Sequence, residues 1–244
     1  MNDKKTIAIV QARMGSERFR GKILQPILER SMLEWVIRRA ARAKTVDEVI
    51  VATTLNVEDD PVEFWCKQNG VRLFRGPEHD VLNRYVQAAA WVNADHIVRI
   101  TADCPLIDPG LIDEVVGHFH ANSKCEWCSN FWPERHYPRG LDVECISLDA
   151  LRHLNEIADT PELREHVTLA IYRDPKEFRI SSVCNCENLS YLRWTVDTPE
   201  DLTLVRTIAA WFGNDEFTWR EALAACRRNW HWNRLNSGIQ QRAA

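Results

Sequence analysis

The sequence predicts an α/β fold whose mostly parallel sheet is covered by helices on both faces. Three observations predict it. Short apolar runs alternate with stretches of apolar residues at helical spacing through the first half of the 244-residue chain. Cap and turn residues fall between these segments. No linker, internal repeat or low-complexity tract interrupts them, so one domain is expected over residues 1–244.

The elements follow in order. TIAIV (6–10) is an apolar strand. MLEWVIRRAARAK (32–44) has a helical stripe and a basic C-terminal end. DEVIVAT (47–53) is the second strand. DDPVEFWCKQNG (59–70) opens with Asp before Pro61 and closes with Gly70, a helix start and stop. VRLF (71–74) is a strand, residues 80–93 a helix, DHIVRIT (95–101) a strand and residues 108–120 a helix. The pattern then changes. Residues 121–148, containing FWPERHYPRGLDVECIS, carry turn signals and extended runs, and read as a β-containing lobe inserted into the domain. Within it LDVECIS (141–147) alternates as a strand. DALRHLNEIA and PELREHVTLAIYRD read as helices, FRISSVC (178–184) and LRWTVD (192–197) as strands. Residues 199–212 and 218–229 close the fold as helices, and the tail GIQQRAA is expected to fray.

Composition narrows the function. A formal net charge of -4 argues against a bulk nucleic-acid binder. No run of about 18 apolar residues suggests a membrane span. MNDKKTIAIVQ enters a strand without a signal-peptide core, so a cytoplasmic location is expected. Most of the eight cysteines, such as Cys66 and Cys226, sit in apolar runs and read as reduced core thiols. Cys125/Cys128 and Cys184/Cys186 could together form a four-thiolate zinc set, but the CxC spacing favours buried thiols. Trp35, Trp65, Trp91 and Trp211 stand at core spacing in helices and are expected to pack rather than stack on bases. Trp127 and Trp132 fit an acceptor pocket or a subunit contact.

In open sheets of this kind, ligands bind beyond the carboxyl ends of strands. That rule selects QARMGSERFRGK (11–22) and TADCPLID (101–108). The first is neither a P-loop nor a GxGxxG fingerprint: five residues separate Gly15 from Gly21, and Ile23 follows Lys22. Its glycines allow close backbone approach. Arg13, Arg18, Arg20 and Lys22 supply forks and a point charge suited to a polyphosphate, the alternative being a solvated basic loop. Asp103 and Asp197 complement it, since Mg2+ takes one or two carboxylates plus phosphate oxygens. Asp108 and Thr198 are the better helix caps nearby, which leaves Asp103 and Asp197 for a ligand.

QARMGSERFRGK, DVLNRY, RITADCPLIDPGLID, YPRGLDVE, REHVT and LRWTVDTPEDLTLVR occur in the order found in cytidylyltransferases. Over residues 6–212 the chain resembles that family, in particular the spore coat polysaccharide biosynthesis protein F group, related to CMP-acylneuraminate and CMP-KDO synthetases. The resemblance implies a three-layer α/β/α sandwich of the nucleotide-diphospho-sugar transferase type. It implies transfer of a cytidylyl group from CTP to an acidic sugar, with release of pyrophosphate, for surface glycan biosynthesis. It also implies Mg2+ as cofactor and a homodimer formed through the inserted segment. By residue, it places Ala12, Arg13, Ser16 and Arg18 near base and phosphates and Lys22 on the triphosphate. Asp80 and Arg84 would border the nucleotide, and Asp103 and Asp197 would bind Mg2+. Thr101, the Tyr137–Glu144 run with Arg139, Asp142 and Glu144, and the Arg164–His166 segment would serve the sugar. Arg13, Lys22, Asp103 and Asp197 would carry catalysis, His166 at most a minor role as base. Two positions depart from the family pattern. Arg20 replaces the usual proline before GK. Arg139 stands where an acid often precedes GLDVE, which points to an acidic acceptor or to an ordinary surface arginine. Another nucleoside triphosphate, a sugar 1-phosphate acceptor (with Arg135, Arg139 and Arg164 as extra cations) and a non-catalytic nucleotide-binding subunit stay open.

Overall fold

The computed structural model describes residues 4–239. In chain order the elements are β1 (Thr6–Gln11), β2 (Pro26–Ile27), β3 (Arg30–Ser31), α1 (Met32–Ala40), β4 (Glu48–Thr54), α2 (Asp60–Gln68), β5 (Leu73–Gly76), α3 (Val81–Trp91), β6 (His96–Thr101) and α4 (Pro109–Ala121). There follow β7 (Trp127–Ser129), β8 (Glu144–Ser147), α5 (Leu148–Ile157), α6 (Pro161–Glu165), α7 (Leu169–Arg173), β9 (Ile180–Ser182), α8 (Pro199–Phe212) and α9 (Trp219–Arg228).

Seven strands form one sheet in the order β5-β4-β1-β6-β8-β7-β9, and β2 and β3 make a separate hairpin. β5, β4, β1 and β6 are parallel, as the βα alternation requires. β8 pairs antiparallel with β6 and with β7, and β9 runs parallel to β7. Successive side chains of a strand point to opposite faces, and β1 shows the result. Ala8 and Val10 enter a core with residues of α1, α4 and α8. Ile7 and Ile9 enter a second core with residues of α3 and α5. A strand buried on both faces reads as a continuous apolar run, which is why TIAIV shows no alternation. The expected α/β sandwich is thus the observed one.

Five expectations need correction or extension. The segment 121–148 supplies β7 and β8 to the main sheet. The helix expected over 161–174 is two short helices, because the chain turns at His166–Thr168. LRWTVD (192–197) is extended but makes no strand, only one bridge between Arg193 and Arg139. Its partners are loops rather than a neighbouring strand: Trp194 N–H and Thr195 N–H donate to Arg139 O (2.7 and 3.0 Å), and Val196 N–H to Asp103 O (2.8 Å). Trp35 is fully buried, but Trp91 and Trp211 are about half exposed, the first ring tilted against Phe74 and the second edge-on to Trp232. Cys125 and Cys128 are buried while Cys184 and Cys186 are exposed, and among the described residues no cluster of three or more His, Cys, Asp or Glu is placed to hold a metal ion. Among the described residues no helix is long and apolar enough to cross a membrane. From Gln240 on, the tail lies outside the described residues.

At the sheet's opposite end, away from the strand C-termini, His96 opens β6 at 5% exposure. Its Nδ1 lies 3.0 Å from His120 Nε2 on α4, with Phe119 edge-on. Burial above all, then His120 and Lys4, pushes His96 down to about 4, against the opposing effect of Asp95. The folded state therefore refuses a proton that the unfolded chain accepts below pH 6.5. Stability should fall as pH drops from 6.5 to 4, by up to about 3 kcal/mol from this residue. Urea unfolding of a His96→Gln variant across that window should show a flatter pH dependence than the wild type, and parallel curves would refute the assignment.

Candidate active site

The loop after β1 is built around Met14. Ala12 N–H makes a last sheet-like bond to Ala52 O (3.1 Å), and the chain then leaves the sheet. Met14 O accepts from Ser16 N–H and from Gly21 N–H, both at 3.0 Å, so the loop folds back on itself. Gly21 closes it at φ +69°, a conformation glycine adopts without penalty. A short 3-10 turn over Lys22–Leu24 follows and turns Lys22 inward, where it is 7% exposed.

The Lys22 ammonium sits between two carboxylates. Its Nζ is 2.9 Å from Asp103 Oδ2, 2.8 Å from Asp197 Oδ1 and 2.7 Å from Val196 O. Asp103 follows β6, and its other oxygen accepts from Thr101 Oγ1 (2.6 Å). Asp197 precedes α8, which Thr198 caps through a capping box with Asp201. Asp108 likewise caps α4, so neither site aspartate is spent on a helix end. Asp197 Oδ2 is held by Arg18 (2.9 Å) and Arg193 (2.6 Å). Burial alone would lower the pKa of Lys22, but Asp103 and Asp197 outweigh it and raise it. Burial would raise that of Asp197, but Lys22, Arg193 and Arg18 outweigh it and hold the carboxyl below the usual range. Lys22 and Asp197 thus each favour the other's charged form.

A cleft of about 320 Å³ opens here, at the carboxyl ends of β1 and β6. Arg13, Ser16, Arg18, Lys22, Thr101, Asp103 and Asp197 all line it. The other expected residues stand elsewhere. Ala12 is in the core. Asp80 caps α3 and lies 3.5 Å from Arg164, which also binds Asn155 O and Ala158 O and so ties α6 to α5. Arg84 is fully buried, donates to Pro77 O, and keeps Nε and Nη2 without a partner; burial above all lowers its pKa. Arg135 forks Asp142. Arg139 is fixed through its backbone, and burial, then the neighbouring Arg135, lowers its guanidinium. Glu144, fully buried on β8, accepts from Arg99 and from Trp127 Nε1 (2.9 Å). His166 ends α6.

Gln11 and Glu165 also line the cleft; both lie in segments expected there, 11–22 and 164–166, but neither carries a role of its own in the sequence analysis. Gln11 ends β1, where the strand-end rule applies to it as much as to the loop, and its Oε1 is buried without a partner. Glu165 brings the REHVT segment to the cleft in place of its neighbours Arg164 and His166.

Residues 7–213 match the cytidylyltransferase family. The chain is 33% identical over 241 residues to an uncharacterized protein of Methanocaldococcus jannaschii, covering 98% of this chain and 97% of that one. It is 32% identical over 216 residues to the spore coat polysaccharide biosynthesis protein SpsF of Bacillus subtilis, covering 85% and 87%. A solved cytidylyltransferase from Leptospira borgpetersenii superposes with a TM-score of 0.91 at 32% identity, covering 99% of this chain and all of that one. The match spans both the parallel sheet and the cleft at its edge, and the chain belongs to the cytidylyltransferase family.

Proposed function

We propose that the protein transfers a cytidylyl group from CTP to a sugar acid, releasing pyrophosphate, in surface glycan biosynthesis. The observation that carries this reading is the Lys22 bridge between Asp103 and Asp197, set under a cationic loop at the strand ends. In the proposed step the anomeric hydroxyl of the acceptor loses its proton to solvent as its oxygen attacks the α-phosphorus in line. A new oxygen–phosphorus bond forms as the bond to the β-phosphate bridge breaks, and pyrophosphate leaves. The protein supplies position and charge rather than a covalent nucleophile. Arg13, Arg18 and Lys22 face the cleft with the charge that a departing pyrophosphate needs. Arg139, beside Arg135, is the candidate for an acidic acceptor.

The residues fit a divalent cation. One positive group, the Lys22 ammonium, already spans both carboxylates, and hard oxygen donors match magnesium. Asp103 and Asp197 would hold Mg2+, which would neutralise phosphate charge and lower the pKa of the attacking hydroxyl. A cytoplasmic homodimer belongs to the same reading.

The test is a thermal-shift comparison of CTP, UTP, GTP and ATP, each with and without Mg2+. A ligand that binds only the native state stabilises by mass action, about 2.7 kcal/mol at a hundredfold excess over Kd. CTP should give the largest shift, enlarged by Mg2+, and sugar acids should then support pyrophosphate release. A larger shift with another nucleotide would move the donor assignment, and no shift with any would remove the catalytic reading.

A further inference from the structure

Asp59 stands at the start of α2 yet makes no capping bond with its side chain. It is 2% exposed. Its Oδ1 accepts from Met14 N–H at 2.6 Å, across 45 residues of sequence. Its Oδ2 accepts from Thr54 N–H (3.2 Å) and from the Thr54 hydroxyl. Thr54 ends β4 and is itself buried, so the carboxylate is fastened to the sheet on one side and to the loop on the other.

What it fastens is the hub of the loop. The Met14 carbonyl receives both arms, Ser16 N–H and Gly21 N–H, while its N–H goes to Asp59. Arg13 and Gly15 flank Met14 and line the cleft, and Lys22 follows Gly21. Bonds to an ionised acceptor are the strong class, and a carboxylate at a helix start is favoured by the helix dipole. The neighbouring Glu58–Arg20 pair also reaches the loop but is exposed on both sides, and such pairs contribute little.

We infer that Asp59 is a positioning residue: it presets the Arg13–Lys22 loop for the triphosphate without touching it. The inference rests on the nucleotide-binding reading above. A loop ordered before binding spares the ligand the cost of ordering it, and small displacements of phosphate-binding groups are costly.

The test compares Asp59→Ala, Asp59→Asn and Thr54→Val by calorimetric titration with CTP and Mg2+, well below each melting temperature. Asp59→Ala should weaken CTP binding by about tenfold or more, the scale of a lost charge-assisted bond. Asp59→Asn, which keeps one acceptor for Met14 N–H, should fall between it and the wild type. Thr54→Val removes a donor to the same carboxylate but leaves the Met14 bond. It should lower the melting temperature while holding the Kd within about twofold. If Asp59→Ala does not fold, the Asp59→Asn titration decides. Asp59 variants that bind CTP like the wild type overturn the inference and leave the function standing. So does a Kd that simply tracks melting temperature across all three variants. A wild type that binds no nucleotide overturns the functional reading itself, and the inference with it.

Discussion

Replacing Lys22 with methionine is expected to lower turnover by about 10²–10³-fold and stability by about 3 kcal/mol. On the proposed function, the first effect follows from losing the cation that would face the developing pyrophosphate charge. The second follows from leaving Asp103 and Asp197 without the ammonium between them. Arg18 and Arg193 would still hold Asp197, and Asp103 is partly open to water, which keeps the loss at the low end for a broken buried pair. Methionine retains most of the aliphatic stem, so packing changes little. Pyrophosphate release and urea unfolding measure the two effects separately. Near-wild-type turnover in a folded Lys22→Met protein would show that the bridge is structural only.

Gly140→Ala is the second large effect. Gly140 has φ +100°, and a Cβ there would lie 2.4 Å from Thr195 N and 2.6 Å from Trp194 C. These are backbone atoms and cannot swing aside. Accommodating the methyl group means parting Arg139 O from Trp194 N–H and Thr195 N–H, the bonds that seat the segment carrying Asp197. Strain and overpacking together should cost about 3 kcal/mol or more, a fall in Tm of roughly 6–12 °C for a chain of this size, with activity lost alongside. Gly213 supplies the comparison. It has φ +70° at the end of α8, but nothing lies within 4 Å of an added Cβ. Gly213→Ala should therefore cost only about 1 kcal/mol, with activity intact. Equal losses in the two variants would mean that conformation, rather than the close approach, governs Gly140.

Where the signals are local, the sequence is legible. The helix over residues 199–212 is legible with its bounds because Thr198, Pro199 and Gly213 mark its ends chemically. β1 is legible because a strand buried on both faces is an apolar run, and β6 because Ile97, Val98 and Ile100 supply the same signal between polar residues. Lys22, Asp103 and Asp197 could be named from far-apart segments because strand-end topology gathers such segments at one edge. The rest depended on partners that local patterns do not specify. LRWTVD has the composition of a strand, but whether a strand forms depends on what lies beside it, and here that is the loop at Arg139. Nothing in LDVECIS tells that Glu144 faces Arg99 across a sheet. Helical spacing placed Trp91 and Trp211 on apolar stripes without showing that these stripes reach the surface. Asp59 reads locally as a helix start, and its partner is 45 residues earlier.

The Lys22 bridge also sets a schedule for the making of the protein. Its two carboxylates lie 81 and 175 residues downstream of the lysine. A growing chain can pair β1 with β4 and β6, and bring Lys22 to Asp103, while Asp197 is still unmade. At ribosomal rates of about 5–20 residues per second, the second carboxylate follows the first by roughly 5–20 s. Completion of the site is thus a late event in biosynthesis, and a chain stopped short of the 192–197 segment would carry the loop and one carboxylate but no bridge.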